Sequence, residues 1–151
     1  MKFAFIFIIL VLPVCFSALA AEPEEKWNLT YGGQYGDGAW CLQETKDGGN
    51  ILVGYSASRG EGSDLFLIRT DGMGKCIWSR ILGGSGEDVG YFVQETQDGG
   101  FIVTGSTKSF AVGEELLWLV KTNGNGNLSW DKTFGGFVSS FGDGGLSLIH
   151  I

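Results

Sequence analysis

One motif occurs twice, 51 residues apart, and it constrains the fold more than any other feature of the chain. Its second copy reads Gln94-Glu95-Thr96-Gln97-Asp98-Gly99-Gly100-Phe101-Ile102-Val103-Thr104-Gly105-Ser106, and its first reads Gln43-Glu44-Thr45-Lys46-Asp47-Gly48-Gly49-Asn50-Ile51-Leu52-Val53-Gly54. Each copy spells a β-hairpin. Aspartate tolerates a turn and can bond its own backbone, while glycine takes positive φ at no steric cost. The apolar, β-prone run that follows is the returning strand. A period of about 50 residues built from short strands predicts a propeller blade or a similar array.

The repeat extends well beyond the motif. Residues 27–77 align with residues 78–129 with one inserted residue near 114–116. Shared positions include Trp27/Trp78, Gly32-Gly33/Gly83-Gly84, Asp37/Asp88, Ser58/Ser109, Gly62/Gly113, Leu65/Leu117, Leu67/Leu119 and Thr70/Thr122. A third copy starts at Trp130 and is followed as far as Gly135-Gly136. Four strands are expected per repeat: 39–45, 51–56, 65–70 and 75–82 in the first, and 90–96, 101–106, 117–122 and 127–134 in the second. Asp71-Gly72-Met73-Gly74-Lys75 and Asn123-Gly124-Asn125-Gly126-Asn127 are the turns between strands three and four. Strand spacing of about 10 residues without helical periodicity argues for an all-β fold. Phe101-Ile102-Val103 is apolar without alternation, as expected of a strand covered on both faces. The expectation is four-stranded antiparallel blades of the β-propeller type, two complete and a third begun, in an incomplete ring.

The succession Trp, Gly-Gly, Asp, Gln-x-Thr-x-Asp-Gly-Gly, Ile-Val-x-Gly-Ser-Thr, Leu-x-Lys-Thr-x-x-x-Gly-Asn, Trp resembles a family of secreted bacterial and archaeal proteins with β-propeller-type repeats. The resemblance covers residues 27–136. It implies a propeller of several blades, with a role at the cell surface or outside the cell, and no enzymatic chemistry. A closed ring takes about four to eight blades, so the two full repeats read as a truncated form. The end of the chain departs from the repeat as well. Asp47 and Asp98 each fall twenty residues after a repeat-opening Trp, whereas Asp143-Gly144-Gly145 arrives seven residues early.

Residues 1–20 read as a secretory signal. Lys2 precedes an apolar run over 3–14, and Ala18-Leu19-Ala20 offers small residues for cleavage after Ala20. The run is short for a membrane span of roughly 20 residues. Cys15 as a lipoprotein site is disfavoured by the bulky Leu12-Pro13-Val14 before it. Residues 21–26 form a polar lead. Loss of the signal leaves nine basic against 17 acidic residues, a net charge of −8 that repels nucleic acid and anionic lipid. The 26 glycines sit at fixed points of the repeat, which assigns them to turns and not to disorder.

No constellation of catalytic or metal-binding residues emerges. The single histidine, His150, stands almost at the C-terminus, so a Ser-His-Asp triad or a zinc site lacks material. Asp37/Asp88, Asp47/Asp98 and Asp71/Asn123 recur at repeat spacing and suggest calcium. Bonding of these side chains to local backbone in turns is the better account, because Asn123 to Asn127 contains no carboxylate. Trp27, Trp78 and Trp130 read as packing wedges between blades in preference to sugar-stacking platforms. Trp40 and Trp118 align with Tyr91 and Phe66 and are expected to pack too. Asp71, Gly74 and Trp78 echo the docking motif of quinoprotein propellers, but the Asp-to-Trp spacing is one residue short. Cys41 and Cys76 belong to strands one and four of the same repeat, too far apart for a disulfide in one sheet, and read as two buried thiols.

The functional expectation is an exported, non-enzymatic repeat protein, a binding or structural module with a protein or glycan ligand, no cofactor and no metal. The rival is a fragment of a larger exported propeller enzyme whose catalytic residues lie in missing blades. Two blades leave two apolar outer faces, so the mature chain is expected to self-associate or to need further blades.

Overall fold

The computed structural model describes residues 28–58, 62–110 and 115–135. Eight strands follow one another: β1 (Asp37–Glu44), β2 (Asn50–Ser56), β3 (Asp64–Thr70), β4 (Cys76–Leu82), β5 (Asp88–Glu95), β6 (Phe101–Thr107), β7 (Leu116–Thr122) and β8 (Leu128–Phe134). They form two four-stranded antiparallel sheets, β1-β2-β3-β4 and β5-β6-β7-β8. Among the described residues all regular structure is β. The signal at 1–20, the lead at 21–26, Trp27, Gly136 and the divergent tail from about Phe137, with His150, lie outside the described residues.

Local chemistry closes each hairpin in the same way twice. In the first, Gly48 donates its amide to the Thr45 carbonyl at 2.8 Å and Thr45 donates to the Gly49 carbonyl at 2.9 Å. In the second, Gly99 donates to Thr96 at 3.1 Å and Thr96 to Gly100 at 2.9 Å. Gly99 has φ +75°, where a side chain costs about 1–2 kcal/mol. Gly100 is needed for space: a Cβ there would lie 2.2 Å from the Thr122 carbonyl oxygen of β7. The irregularities repeat too. The register of the first sheet slips between Ala39 and Cys41, that of the second between Gly90 and Phe92.

The sheets pack on each other through one apolar joint. Ile51, Val53, Leu65 and Leu67 of the first meet Val93, Phe101, Val103, Trp118 and Val120 of the second, all at most 2% exposed. Trp78 and Leu82 of β4 join them at the margin. Removing each such side chain from water contributes roughly 1.5–3 kcal/mol, so this joint is the dominant stabilising contact between the sheets.

The sheets are out of phase with the repeat counted from its tryptophans. Trp78, placed at the start of the second repeat, lies inside β4 and belongs to the first sheet; Trp130 lies inside β8. The reason is that the tryptophan serves the fourth strand, while the sheet begins ten residues later at Asp37 or Asp88. Covering of Phe101-Ile102-Val103 on both faces is met on one side only. Phe101 and Val103 are buried in the joint, but Ile102, pointing the other way, is only half-buried.

Candidate functional site

The recurrent carboxylates and amides close turns and connections. Asp71 accepts from the amides of Met73 and Lys75 through one oxygen, both at 2.9 Å. Asn123 accepts from Asn125 and Asn127 in the same manner, both at 3.0 Å. This is why an amide replaces the carboxylate without loss: the position needs an acceptor, not a charge. Asp37 accepts from the Gly33 amide at 2.7 Å and the Ser58 hydroxyl at 2.9 Å. Asp88 repeats this with Gly84 at 2.9 Å and Ser109 at 2.6 Å. These bonds tie the Gly-Gly doublet to the end of the second strand, and the Gly33 amide above all holds the Asp37 carboxyl below its ordinary value. Gly74 carries φ +79° in the turn between β3 and β4, and Trp78 points across to the other sheet, so the Asp71, Gly74 and Trp78 trio serves turn and joint.

Asp47 and Asp98 carry more. Each accepts from the hydroxyl two residues before it and from the second glycine amide of its turn. Each also meets a cation from the third strand: Arg69 for Asp47, and Lys121 for Asp98 at 3.0 Å. The Thr45 hydroxyl first, and then the Gly49 amide, lower the Asp47 carboxyl; Thr96, Lys121 and Gly100 lower that of Asp98 well below the carboxylate range. The partnership with Arg69 and Lys121 was not read from sequence, although a cation before Thr70 and Thr122 in both copies was the available signal. Among the described residues no cluster of three or more His, Cys, Asp or Glu side chains is placed to hold a metal ion.

The tryptophans divide. Trp78 packs edge-on to Phe101 at 5.8 Å between ring centres and lies against Gly126, as a wedge between the sheets should. Trp118 is buried, with its indole N–H donating to Asp131 at 2.9 Å. Trp130, at the position of Trp78, is 42% exposed with Lys132 at 5.9 Å from its ring. Trp40 corrects the expectation of packing. It is 63% exposed, with the Tyr55 ring beside it at 6.4 Å, on β1, which is an edge strand of its sheet. Tyr91, its counterpart in β5, is half-buried, with its hydroxyl 3.2 Å from that of Ser106. The cysteines also need one correction. Both thiols are free and Cys41 is half-buried, but Cys76 is exposed, since it opens the edge strand β4.

Two features had no sequence signal. Asp64, whose repeat counterpart is Leu116, comes beside Asp88 at the top of the joint. A Cβ added to Gly83 would stand 2.3 Å from an oxygen of Asp64 and 2.4 Å from one of Asp88. Burial, and then the neighbouring Asp88, raise the Asp64 carboxyl above its ordinary value. The second is a hollow of about 110 Å³ on the outward side of the first sheet, framed by Tyr31, Ala39, Leu52, Phe66 and Ile68. Models of known protein families and the curated proteins contain no match to this chain.

Proposed function

We propose that this chain is an exported, non-enzymatic repeat protein of the β-propeller type, each sheet a blade, acting as a binding or structural module at the cell surface or outside the cell. One observation carries the reading: the polar side chains that recur in both copies are used by the fold itself. Asp37/Asp88, Asp47/Asp98 and Asp71/Asn123 close the same turns with the same backbone partners in both sheets. Such positions maintain a scaffold, which leaves side chains outside the repeated set to meet a ligand.

Trp40 and Tyr55 are the surface best suited to that role. An aromatic face with a polar edge can stack on a sugar ring or anchor a protein contact. The ligand class is therefore a glycan or a protein. The acidic chain is a poor partner for nucleic acid and for anionic lipid. Among the described residues no helix is long and apolar enough to cross a membrane.

Export and binding are tested separately. Mass spectrometry of the protein recovered outside the cytoplasm should find Ala21 as the first residue; retention of Met1 overturns the export reading. Screening against glycans and surface proteins should yield a ligand whose binding is weakened by Trp40→Ala. Substrate turnover on addition of quinone or calcium overturns the non-enzymatic reading.

A further inference from the structure

The joint between the sheets has two unlike sides, and each side is written twice in the chain. The side on β1–β4 consists of Ile51, Val53, Leu65, Leu67, Trp78 and Leu82. Moved one repeat on, it becomes Ile102, Thr104, Leu117, Leu119, Trp130 and Phe134, on the outward side of β5–β8. The side on β5–β8 consists of Val93, Phe101, Val103, Trp118 and Val120. Moved one repeat back, it becomes Leu42, Asn50, Leu52, Phe66 and Ile68, on the outward side of β1–β4. Large apolar side chains on both outward sides reach solvent, with Trp130 42%, Phe134 52% and Leu42 54% exposed.

We propose that these two outward sides bind each other between two copies of this chain, in a head-to-tail contact that repeats the joint already formed within one copy. The fit is visible at the deepest point. Within the chain, Val53 and Leu65 fill the space over Gly90, so that a Cβ there would come within 2.3 Å of Val53 Cγ2 and 3.1 Å of Leu65 Cγ. The counterpart of Gly90 is Ala39, and beside Ala39 lies the hollow of about 110 Å³. The counterparts of Val53 and Leu65 are Thr104 and Leu117, which a second copy brings to that hollow.

The polar rim carries over as well. Arg80 donates to the main-chain carbonyl of Asn125 at 2.8 Å across the joint. The equivalent donor is Lys132 and the equivalent acceptor the Met73 carbonyl, where the change of side chain is immaterial. The like-charge contact does not carry over, because Leu116 takes the place of Asp64 opposite Asp37. Tyr31 precedes Gly32-Gly33 as Leu82 precedes Gly83-Gly84, and it already leans over the hollow with its hydroxyl bonded to the Gly74 carbonyl. Phe134 of an arriving copy, itself the counterpart of Leu82, therefore competes with Tyr31 for one place. Since the two sides differ, the contact is heterologous and leads to a ring if the rotation closes, or to a filament.

This proposal rests on the joint and not on the export or ligand reading, and either can fail without the other. The test is sedimentation of the full chain with Leu42→Asp and Trp130→Asp, each of which disables one side at an exposed position. Wild-type mass should rise with concentration, each variant alone should remain monomeric, and an equimolar mixture should form a dimer through the one intact side of each partner. Tyr31→Ala should move wild-type association to lower concentration. Wild type that stays monomeric, a mixture that forms no dimer, or association surviving both substitutions overturns the proposal; the last would place the contact on strand edges or another partner. Should either variant lose its cooperative melt, Leu42→Ser and Phe134→Ser make the same comparison with a smaller perturbation.

Discussion

Leu42 and Val93 hold the same position in their sheets, one in β1 and the other in β5. Val93 has no accessible surface, while Leu42 keeps 54% of its own. Phe66 and Trp118 differ in the same sense, the first half-buried and the second 2% exposed. Backbone pairing is the same in both sheets, with the same bulges and turns, so neither local structure nor hairpin register explains the contrast. The difference lies in what covers each face. The inward face of β5–β8 has β1–β4 against it, and among the described residues no sheet lies on the equivalent face of β1–β4. Burial in a repeat array is a property of a neighbouring pair of units, and the same residue type has different worth at the two ends of the pair.

The contrast can be broken most sharply with a charge. Val93→Asp places an unpaired carboxylate in the joint, a change costing about 3–5 kcal/mol or more, and should leave the chain without a cooperative melt. Leu42→Asp, at the matching position, should shift the monomer's melting temperature little. Similar losses for the two would show that both faces are covered in solution. Next comes truncation of the aromatic pair. Trp118→Ala should cost about 3–5 kcal/mol by opening the joint, and Phe66→Ala well under half of that, as read by denaturant midpoints. Equal costs would again erase the distinction.

The turns supply a smaller effect that separates scaffold from surface. Replacing Gly99 and Gly100 by valine combines a positive φ, costing about 1–2 kcal/mol, with the close approach of Gly100 to Thr122. Ser63→Val, in the loop before β3, should be nearly neutral, and equal melting temperatures would refute the role given to the turn. The smallest shift concerns Asp64. Its carboxyl is raised from an ordinary 3.8, so the folded chain holds that proton more tightly than the unfolded one. The stability this contributes is full below the unfolded value and is lost as pH rises through the folded value. Asp64→Asn should therefore stabilise the chain at neutral pH, with the advantage vanishing in acid. Asp37, Asp47 and Asp98 are lowered instead, so their contribution is present at neutral pH and lost on acidification in both proteins. An Asp64→Asn variant no more stable than wild type at neutral pH would place no cost on the pairing with Asp88.

Much of this protein is legible without coordinates, because much of it is local. Strand count, hairpin order and the two Asp-Gly-Gly turns follow from residues within five positions of one another, and so does the use of Asp71 and Asn123 as backbone acceptors. Trp78 as a wedge is legible as well, but Trp130 at the same repeat position is 42% exposed, so the position alone does not decide coverage. Other properties depend on residues 20 to 50 positions away. Whether Trp40 is covered, whether Cys76 is shielded and where the sheet begins relative to its tryptophan are decided by the stacking of one sheet on the next. The pairing of Asp64 with Asp88 arises only there, because the two belong to different sheets and the counterpart of Asp64 in the second copy is Leu116, which carries no charge. The sequence alone determined the sheet and its turns, whose energetics are hydrogen bonds and dihedral preferences between near neighbours. Only the tertiary structure decided which face of each sheet is core and which is surface, because burial depends on what lies opposite, and the repeat writes both faces alike.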